Sequence, residues 1–177
     1  MNARHVSSAA LVMMVLLMGG CSVTPEPQET APAFATEEEA FAAAEQTYRA
    51  YVDALNQVDL SDPETFEPVF ALTTGEANAS ARQTLSERHA NGWVVTGSSQ
   101  ITVAEPLPSS SDTENVVLAV CLDVSEVALT DSTGLSVVSP DRPDTQTMAV
   151  TVTRADDSHK WLIEQFAGRD SGPECAS

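Results

Sequence analysis

The spacing of apolar residues predicts an amphipathic helix at the start of the folded part of the chain. Apolar or aromatic residues recur in steps of three and four, at Phe41, Ala44, Tyr48, Tyr51, Leu55 and Val58. Thr36 precedes three glutamates, and the pair Thr36 and Glu39 has the form of a capping box. The acidic first turn also complements the helix dipole. We therefore expect a helix over about residues 36–58.

Two shorter helices are predicted next. Asp62-Pro63 is a typical helix start, and the apolar residues that follow it are Phe66, Val69 and Phe70. Thr73-Thr74 can cap a third helix over about 75–90, whose sparse apolar face consists of Ala77, Ala81, Leu85 and Ala90. Asn91-Gly92 favours its end.

Beyond Gly92 the apolar period changes from that of a helix to that of strands. Segments 93–103, 116–128, 145–154 and 160–166 are rich in β-branched residues, with Gly97 marking a bend in the first and Asp156–Ser158 a turn before the last. The second strand is the most regular. One face of it carries Val116, Leu118, Val120, Leu122 and Val124, and the other carries Val117, Ala119, Cys121, Asp123 and Ser125. Segments 105–114 and 131–144 are predicted loops.

Three helices followed by a four-stranded antiparallel meander indicate an α+β fold, with the N-terminal helices packed on one face of a curved sheet. This order of elements, the size and the final Trp161-Leu-Ile-Glu-Gln strand resemble the nuclear-transport-factor-2-like cone fold over roughly residues 36–170. That superfamily includes ketosteroid isomerases, polyketide cyclases and non-enzymatic envelope lipoproteins of actinobacteria. A cystatin-like sheet with fewer helices is the nearest alternative.

The first twenty residues resemble a lipoprotein signal peptide. A short, weakly basic start is followed by the apolar run 6–18, which is shorter than the about 20 residues needed to span a bilayer. Gly19-Gly20-Cys21 then resembles a lipobox, although Met18 stands where that motif prefers Leu, Val or Ile. We expect cleavage of residues 1–20 and lipidation of Cys21. The alternative is a plain cleaved signal with an incidental cysteine.

The segment after Cys21 is predicted to be a tether. Ser22 to Ala33 contains three prolines and no apolar periodicity, as in extended, disordered linkers. At about 3.1 Å per residue it would reach roughly 40 Å. The expected organisation is therefore a signal peptide over 1–20, a lipidated tether over 21–35 and one α+β domain over 36–177.

The net negative charge of the chain makes some classes of binding partner unfavourable. The 177 residues contain 8 Lys plus Arg and 26 Asp plus Glu, and removal of Arg4 with the signal leaves 7 against 26, a formal charge of −19. Such a chain repels nucleic-acid phosphates and anionic lipid head groups. The expected partners are the membrane through the lipid anchor, together with an envelope protein or a small apolar ligand.

Once Cys21 is assigned to lipid, Cys121 and Cys175 are the remaining cysteines. Because exported proteins meet an oxidising environment, we expect these two to form a disulfide. The alternative, a catalytic thiol, lacks a flanking histidine or basic residue that would lower its pKa.

No sequence motif identifies a reaction. Phosphate-binding loops, nucleophile elbows and zinc motifs are absent, and the histidines of the expected mature chain, His89 and His159, are scattered. We therefore predict no catalytic, cofactor or metal residues, and a non-catalytic binding or accessory module of the cell envelope. The alternative is an isomerase or dehydratase of the cone-fold type, for which Asp123 and Glu164 are the candidate carboxylates. That alternative requires a buried carboxylate in an open pocket.

Overall fold

A computed structural model describes residues 36–107, 114–155 and 160–176 of the chain. The helices are α1 (Glu37–Leu55), α2 (Glu67–Phe70), which continues a 3-10 turn at Pro63–Phe66, and α3 (Gly75–Ala90). The strands are β1 (Val94–Thr96), β2 (Gln100–Pro106), β3 (Asn115–Asp123), β4 (Ala128–Thr130), β5 (Thr145–Arg154) and β6 (Trp161–Gly168). None of the helices in these ranges has the length and apolarity needed to cross a bilayer.

The main sheet is antiparallel, with the strand order β2-β3-β5-β6. Its register places Val116 opposite Val152, and Val152 opposite Ile163, so that branched side chains line up across three strands. The face that they share is fully buried at Val116, Leu118, Val120, Val150, Val152 and Ile163. The α+β fold class is confirmed: helices pack on one face of a curved antiparallel sheet, which is not closed.

A second, two-stranded sheet is present that the sequence pattern did not predict. The expected strands over 93–103 and 116–128 each divide in two, and β1 pairs with β4 outside the main sheet. Gly97 accounts for the division, because its φ of +79° lies in the left-handed region and a Cβ there would overlap the carbonyl of Glu126. The chain therefore turns out of the main sheet at Gly97.

Helix α1 lies across the buried face of the main sheet. Its N-terminus is capped as predicted, since the Thr36 hydroxyl accepts a hydrogen bond from the backbone N–H of Glu39 at 3.2 Å. The predicted end at 58 is wrong: the helix stops at Leu55. Its most buried face is Ala40, Ala44, Tyr48 and Val52, which differs from the predicted set because small alanines allow the backbone to approach the sheet closely.

Helix α3 begins as predicted, but its cap differs. Thr74 occupies the N-cap without a side-chain hydrogen bond, and the Thr73 hydroxyl instead donates to the carbonyls of Val69 and Phe70. The backbone N–H of Thr74 donates to the carbonyl of Ile163, and that of Ile163 donates to the carbonyl of Leu72. The segment before α3 therefore covers part of the edge of β6.

Two groups of buried apolar residues fill the interior. The first, here called the sheet core, joins α1 to the main sheet and includes Ala44, Tyr48, Leu118, Val150 and Ile163. The second, here called the helix core, lies at the other end of α1 and includes Ala54, Leu60, Phe66, Val69, Phe70 and Leu85. Residues Trp93, Val95 and Leu129 of the small sheet region pack against the helix core.

Candidate binding site

The two cysteines of the folded part are joined. Cys121 and Cys175 form the predicted disulfide, with their Cα atoms 5.5 Å apart. Cys121 lies on the outer face of β3, opposite Thr147 of β5, and is fully buried. The disulfide therefore fixes the C-terminal tail to the side of the sheet that the helices leave uncovered.

Arg169 holds the same tail by hydrogen bonds. Its guanidinium donates to the carbonyls of Met148, Ser171 and Pro173, at 3.2, 2.7 and 2.7 Å. Multiple bonds from one planar guanidinium fix the direction of the chain that they join. The disulfide and Arg169 together fix the C-terminal tail, and the Arg169 guanidinium also lies 3.4 Å from Cys121 Sγ and 3.5 Å from Cys175 Sγ.

Several sequence predictions fall outside the described residues. The signal peptide and the whole tether, including Cys21, lie before residue 36, and the predicted turn 156–158 and His159 lie in the gap 156–159. The lipidation of Cys21 and the domain boundaries remain predictions.

The two candidate carboxylates do not face a common apolar pocket. Asp123 is half-exposed at the end of β3, pointing away from the buried face as the alternation predicted. The backbone N–H of Ser125 donates to it at 2.8 Å, and hydrogen bonds from Ser125 hold the pKa of Asp123 below its ordinary value. Glu164 is exposed on β6. The isomerase alternative requires a buried carboxylate in an open pocket, and neither side chain is buried.

His89 has a structural partner. Its Nδ1 lies 2.7 Å from the carbonyl oxygen of Leu60, so this nitrogen carries the proton and donates. The ring also meets Phe66 edge-on, with centroids 6.3 Å apart. His89 therefore ties the end of α3 to the loop that follows α1. Among the described residues, no three His, Cys, Asp or Glu side chains come close enough together to hold a metal ion.

Two cavities of the described part of the chain border the helix core. One cavity of about 110 Å³ lies between the end of α1, α3 and β1, with Leu55, Leu60, Leu85, Val95 and Val127 among its walls. It is called the Ser99 cavity here because Ser99 is one of its polar residues. A second cavity of about 190 Å³, called the Tyr51 cavity, lies between α1, α3 and Phe166 of β6. Both are lined by Leu55, Leu85 and Arg88, which therefore form the partition between them.

Arg88 is the charged residue of this partition. It is half-buried, and burial lowers the pKa of its guanidinium, while the nearby Tyr51 opposes that shift. Within the described part of the chain, no carboxylate lies in salt-bridge distance of Arg88. The guanidinium therefore retains its charge and its donors at the boundary of the two cavities.

The polar residues of the Ser99 cavity differ in how many of their hydrogen-bonding groups have partners. The Asn56 amide donates to the backbone carbonyl of Ser99 and accepts from its backbone N–H, at 3.0 and 2.8 Å. Ser99 itself is buried, but its hydroxyl bonds no other described residue. The cavity therefore presents one cation and one free hydroxyl beside its aliphatic side chains.

Sequence reasoning did not identify this site. The signal was present in α3, because Arg88 follows Leu85 by three residues and Ala81 by seven, on the same helix face. A cation on the apolar face of a helix, in a chain with only 8 basic residues, indicates a candidate binding residue. The cavity itself could not be predicted, since it depends on the small sheet formed by β1 and β4.

Comparison with known proteins supports the fold of this chain but gives no information on its function. No protein-family model matches the sequence, and no curated protein matches it either. A provisionally assigned aromatic ring hydroxylase from Novosphingobium aromaticivorans is similar in structure, with a TM-score of 0.50 at 13% identity over 74% of this chain and 88% of that one.

Two further solved structures are more distant. A protein from Catenulispora acidiphila has a TM-score of 0.47 at 14% identity, over 73% of this chain and 89% of that one. The VirB8 protein of Agrobacterium tumefaciens has a TM-score of 0.41 at 10% identity, over 80% of this chain and 99% of that one. The arrangement of three helices on an open, curved antiparallel sheet is consistent with a nuclear-transport-factor-2-like cone fold.

Proposed function

We propose that this protein is a lipid-anchored, extracytoplasmic binding module that takes a small, largely apolar molecule into the cavities beside Arg88. Two independent lines of support exist, one for the anchor and one for the ligand. The proposed ligand site is carried by a single observation: in the described part of the chain, the Ser99 and Tyr51 cavities share a half-buried arginine that no carboxylate neutralises.

Support for the anchor comes from the sequence. The apolar run 6–18 ends at Gly19-Gly20-Cys21, the arrangement of small residues before a cysteine that lipoprotein processing needs. Two or three acyl chains on Cys21 would hold the protein stably at the outer face of the membrane, whereas one chain binds reversibly. The proline-rich segment that follows would hold the folded domain away from the bilayer.

Support for a small molecule, in preference to a protein partner, comes from the surfaces. The outer face of the main sheet carries small or polar side chains such as Ala149, Thr147 and Thr151, and Ala119 and Cys121 there are fully buried. Across the described residues, the large apolar side chains with high exposure are Val94 at 52% and Leu135 at 68%. Both belong to the small-sheet region, and the described outer face of the main sheet has no such side chain of the kind that marks a protein interface.

The anchor is tested with Cys21→Ser in the producing cell. We expect loss of labelling by a fatty-acid analogue, and recovery of the protein in the soluble fraction or as an unprocessed precursor. Cys175→Ser is the matched control, since it removes a cysteine without touching the lipobox. Undiminished lipid labelling of the Cys21→Ser variant would contradict the proposed anchor.

The ligand is tested with protein purified from its own membrane in mild detergent. Native mass spectrometry should show a bound small molecule, released when the protein is denatured. Ala81→Phe places a large ring in the wall of the Tyr51 cavity and should reduce the bound fraction. Ser86→Phe, on the exposed face of the same helix, is the control. Equal occupancy of both variants would contradict the assignment.

A further inference from the structure

The charge of the Arg88 partition identifies the chemical class of the ligand. In a chain with 8 basic and 26 acidic residues, a cation has many possible carboxylate partners. Arg49 pairs with Glu45 at 2.7 Å and Arg154 with Glu114 at 3.3 Å. The other described cations except Arg88 have no described carboxylate partner, but each donates a hydrogen bond to another group; they are Arg82, Arg142, Lys160 and Arg169. Arg88 has neither a carboxylate nor a hydrogen-bond acceptor among the described residues, and it lies at the border of two cavities.

Arg82, the other arginine of α3, differs from Arg88 because its guanidinium has partners. Arg82 lies over the ring of Phe70, with its guanidinium carbon 4.1 Å from the ring centroid, and its Nε donates to Asn78 at 3.0 Å. Its charge and one donor therefore have partners on the surface. The guanidinium of Arg88 has no hydrogen bond to any described residue, although it is half-buried.

A half-buried guanidinium without an acceptor is costly unless water or a ligand supplies one. A carboxylate is the matching acceptor, because its two oxygens fit two parallel guanidinium donors. One cation matches one negative charge, and so a monocarboxylate fits better than a phosphate that carries nearly two charges at neutral pH. The free hydroxyl of Ser99 can donate a further hydrogen bond in the same cavity.

The walls define the rest of the ligand. Leu55, Leu60, Leu85, Val95 and Val127 are aliphatic, and the amide of Asn56 is already engaged with Ser99. Aliphatic walls select an aliphatic body, since polar atoms buried there would lose their bonds to water. Resting on the function proposed above, we infer that the ligand is an aliphatic monocarboxylate whose head group pairs with Arg88 in the Ser99 cavity.

The test compares two probes of equal chain length that differ in the head group, decanoate with a charged carboxylate and 1-decanol with a neutral hydroxyl. Their binding is measured by calorimetric titration at neutral pH of the protein freed of non-covalently bound ligand. The wild type should bind decanoate at least about tenfold more tightly than decanol, the value of a charge-assisted hydrogen bond. Arg88→Gln should remove this preference and leave the decanol affinity within about twofold. Arg82→Gln, on the same helix, should change neither affinity.

The outcomes separate this inference from the function on which it rests. Equal binding of decanoate and decanol by the wild type would overturn the carboxylate assignment and leave an apolar binding site. A preference for decanoate that survives Arg88→Gln would overturn the role of Arg88. Binding of neither probe, nor of their six- and fourteen-carbon homologues, would overturn the inference together with the proposed site. A purely structural Arg88 would lower the melting temperature on substitution without changing the ratio of the two affinities.

Discussion

The sheet core and the helix core are built from the same kinds of residue, but they are packed differently. In the sheet core, Ala40, Ala44 and Val150 are fully buried and the helix lies close against the strands. In the helix core, Leu55, Leu85 and Arg88 surround unfilled space. Close packing stabilises a fold, whereas cavities cost stability and persist where something else is gained. The contrast supports the proposal that the helix core is the binding region, whereas the sheet core stabilises the fold.

The largest effect is expected from the disulfide, which strengthens the sheet core from its outer face. Cys121 and Cys175 are 54 residues apart, and a loop of that size gives about 4 kcal/mol in the chain-entropy model. Cys175→Ser should lower the free energy of unfolding by about this amount, measured by urea denaturation, and mild reduction of the wild type should do the same. Decanoate affinity of the folded variant should stay unchanged. A loss of binding would show that the tail and the cavities are coupled.

Truncation of a leucine in each core tests the difference in packing. Leu118→Ala should cost about 4 kcal/mol, because a fully buried side chain loses all its contacts and leaves a cavity. Leu85→Ala should cost about 2 kcal/mol, because Leu85 already borders both cavities and has fewer contacts to lose. Both values follow from equilibrium denaturation. Equal losses would mean that the two cores are packed alike.

Enlargement of an alanine in each core is the opposite test. Ala44→Leu should destabilise the protein by about 2 kcal/mol, because the added atoms meet the sheet directly. Ala81→Leu should leave stability within about 1 kcal/mol of the wild type, since the added atoms enter the Tyr51 cavity. Thermal unfolding of both variants gives the comparison. A large loss for Ala81→Leu would show that this cavity cannot accept an aliphatic group.

Tyr48 is an exception within the sheet core. Its side chain is fully buried, and its hydroxyl meets no hydrogen-bond partner among the described residues. Burial also raises the pKa of this hydroxyl above its ordinary value. Tyr48→Phe removes the unsatisfied group and keeps the ring, so we expect unchanged or slightly higher stability, by up to about 1 kcal/mol. A clear loss on denaturation would mean that a bound water satisfies the hydroxyl.

The sequence pattern predicted the sheet core far better than the helix core. The alternation from Val116 to Leu122 identifies the buried face of β3, since a period of two depends only on local geometry. The disulfide was predicted because Cys121 and Cys175 are the two cysteines left after Cys21 and because exported proteins meet an oxidising environment. The Ser99 cavity depends instead on β1 pairing with β4, about 35 residues apart, and on Gly97 passing close to the Glu126 carbonyl. Such contacts between distant segments leave no periodic signal, and so the environment of Arg88 could not be predicted.

The smallest predicted effect concerns the loop beside the small sheet, on the helix-core side of the molecule. The Asp131 carboxylate accepts hydrogen bonds from the Thr133 hydroxyl and from the backbone N–H groups of Thr133 and Leu135, at 2.7, 2.8 and 3.0 Å. These hydrogen bonds hold the pKa of Asp131 below its ordinary value of 3.8, and the bond from the Thr133 side chain has the largest effect.

Because the folded-state pKa is depressed, the contribution of Asp131 to stability is fully present above pH 3.8 and is lost as the pH falls through the folded-state value. Asp131→Asn should therefore lower the melting temperature slightly at pH 6, and the difference from the wild type should shrink below pH 4. The carboxyl carbon of Asp131, followed by NMR, should titrate below pH 3.8. A midpoint at or above that value would mean that the loop opens in solution. The wall of the Ser99 cavity formed by Val95 and Val127 would then be less rigid than the contrast between the two cores requires.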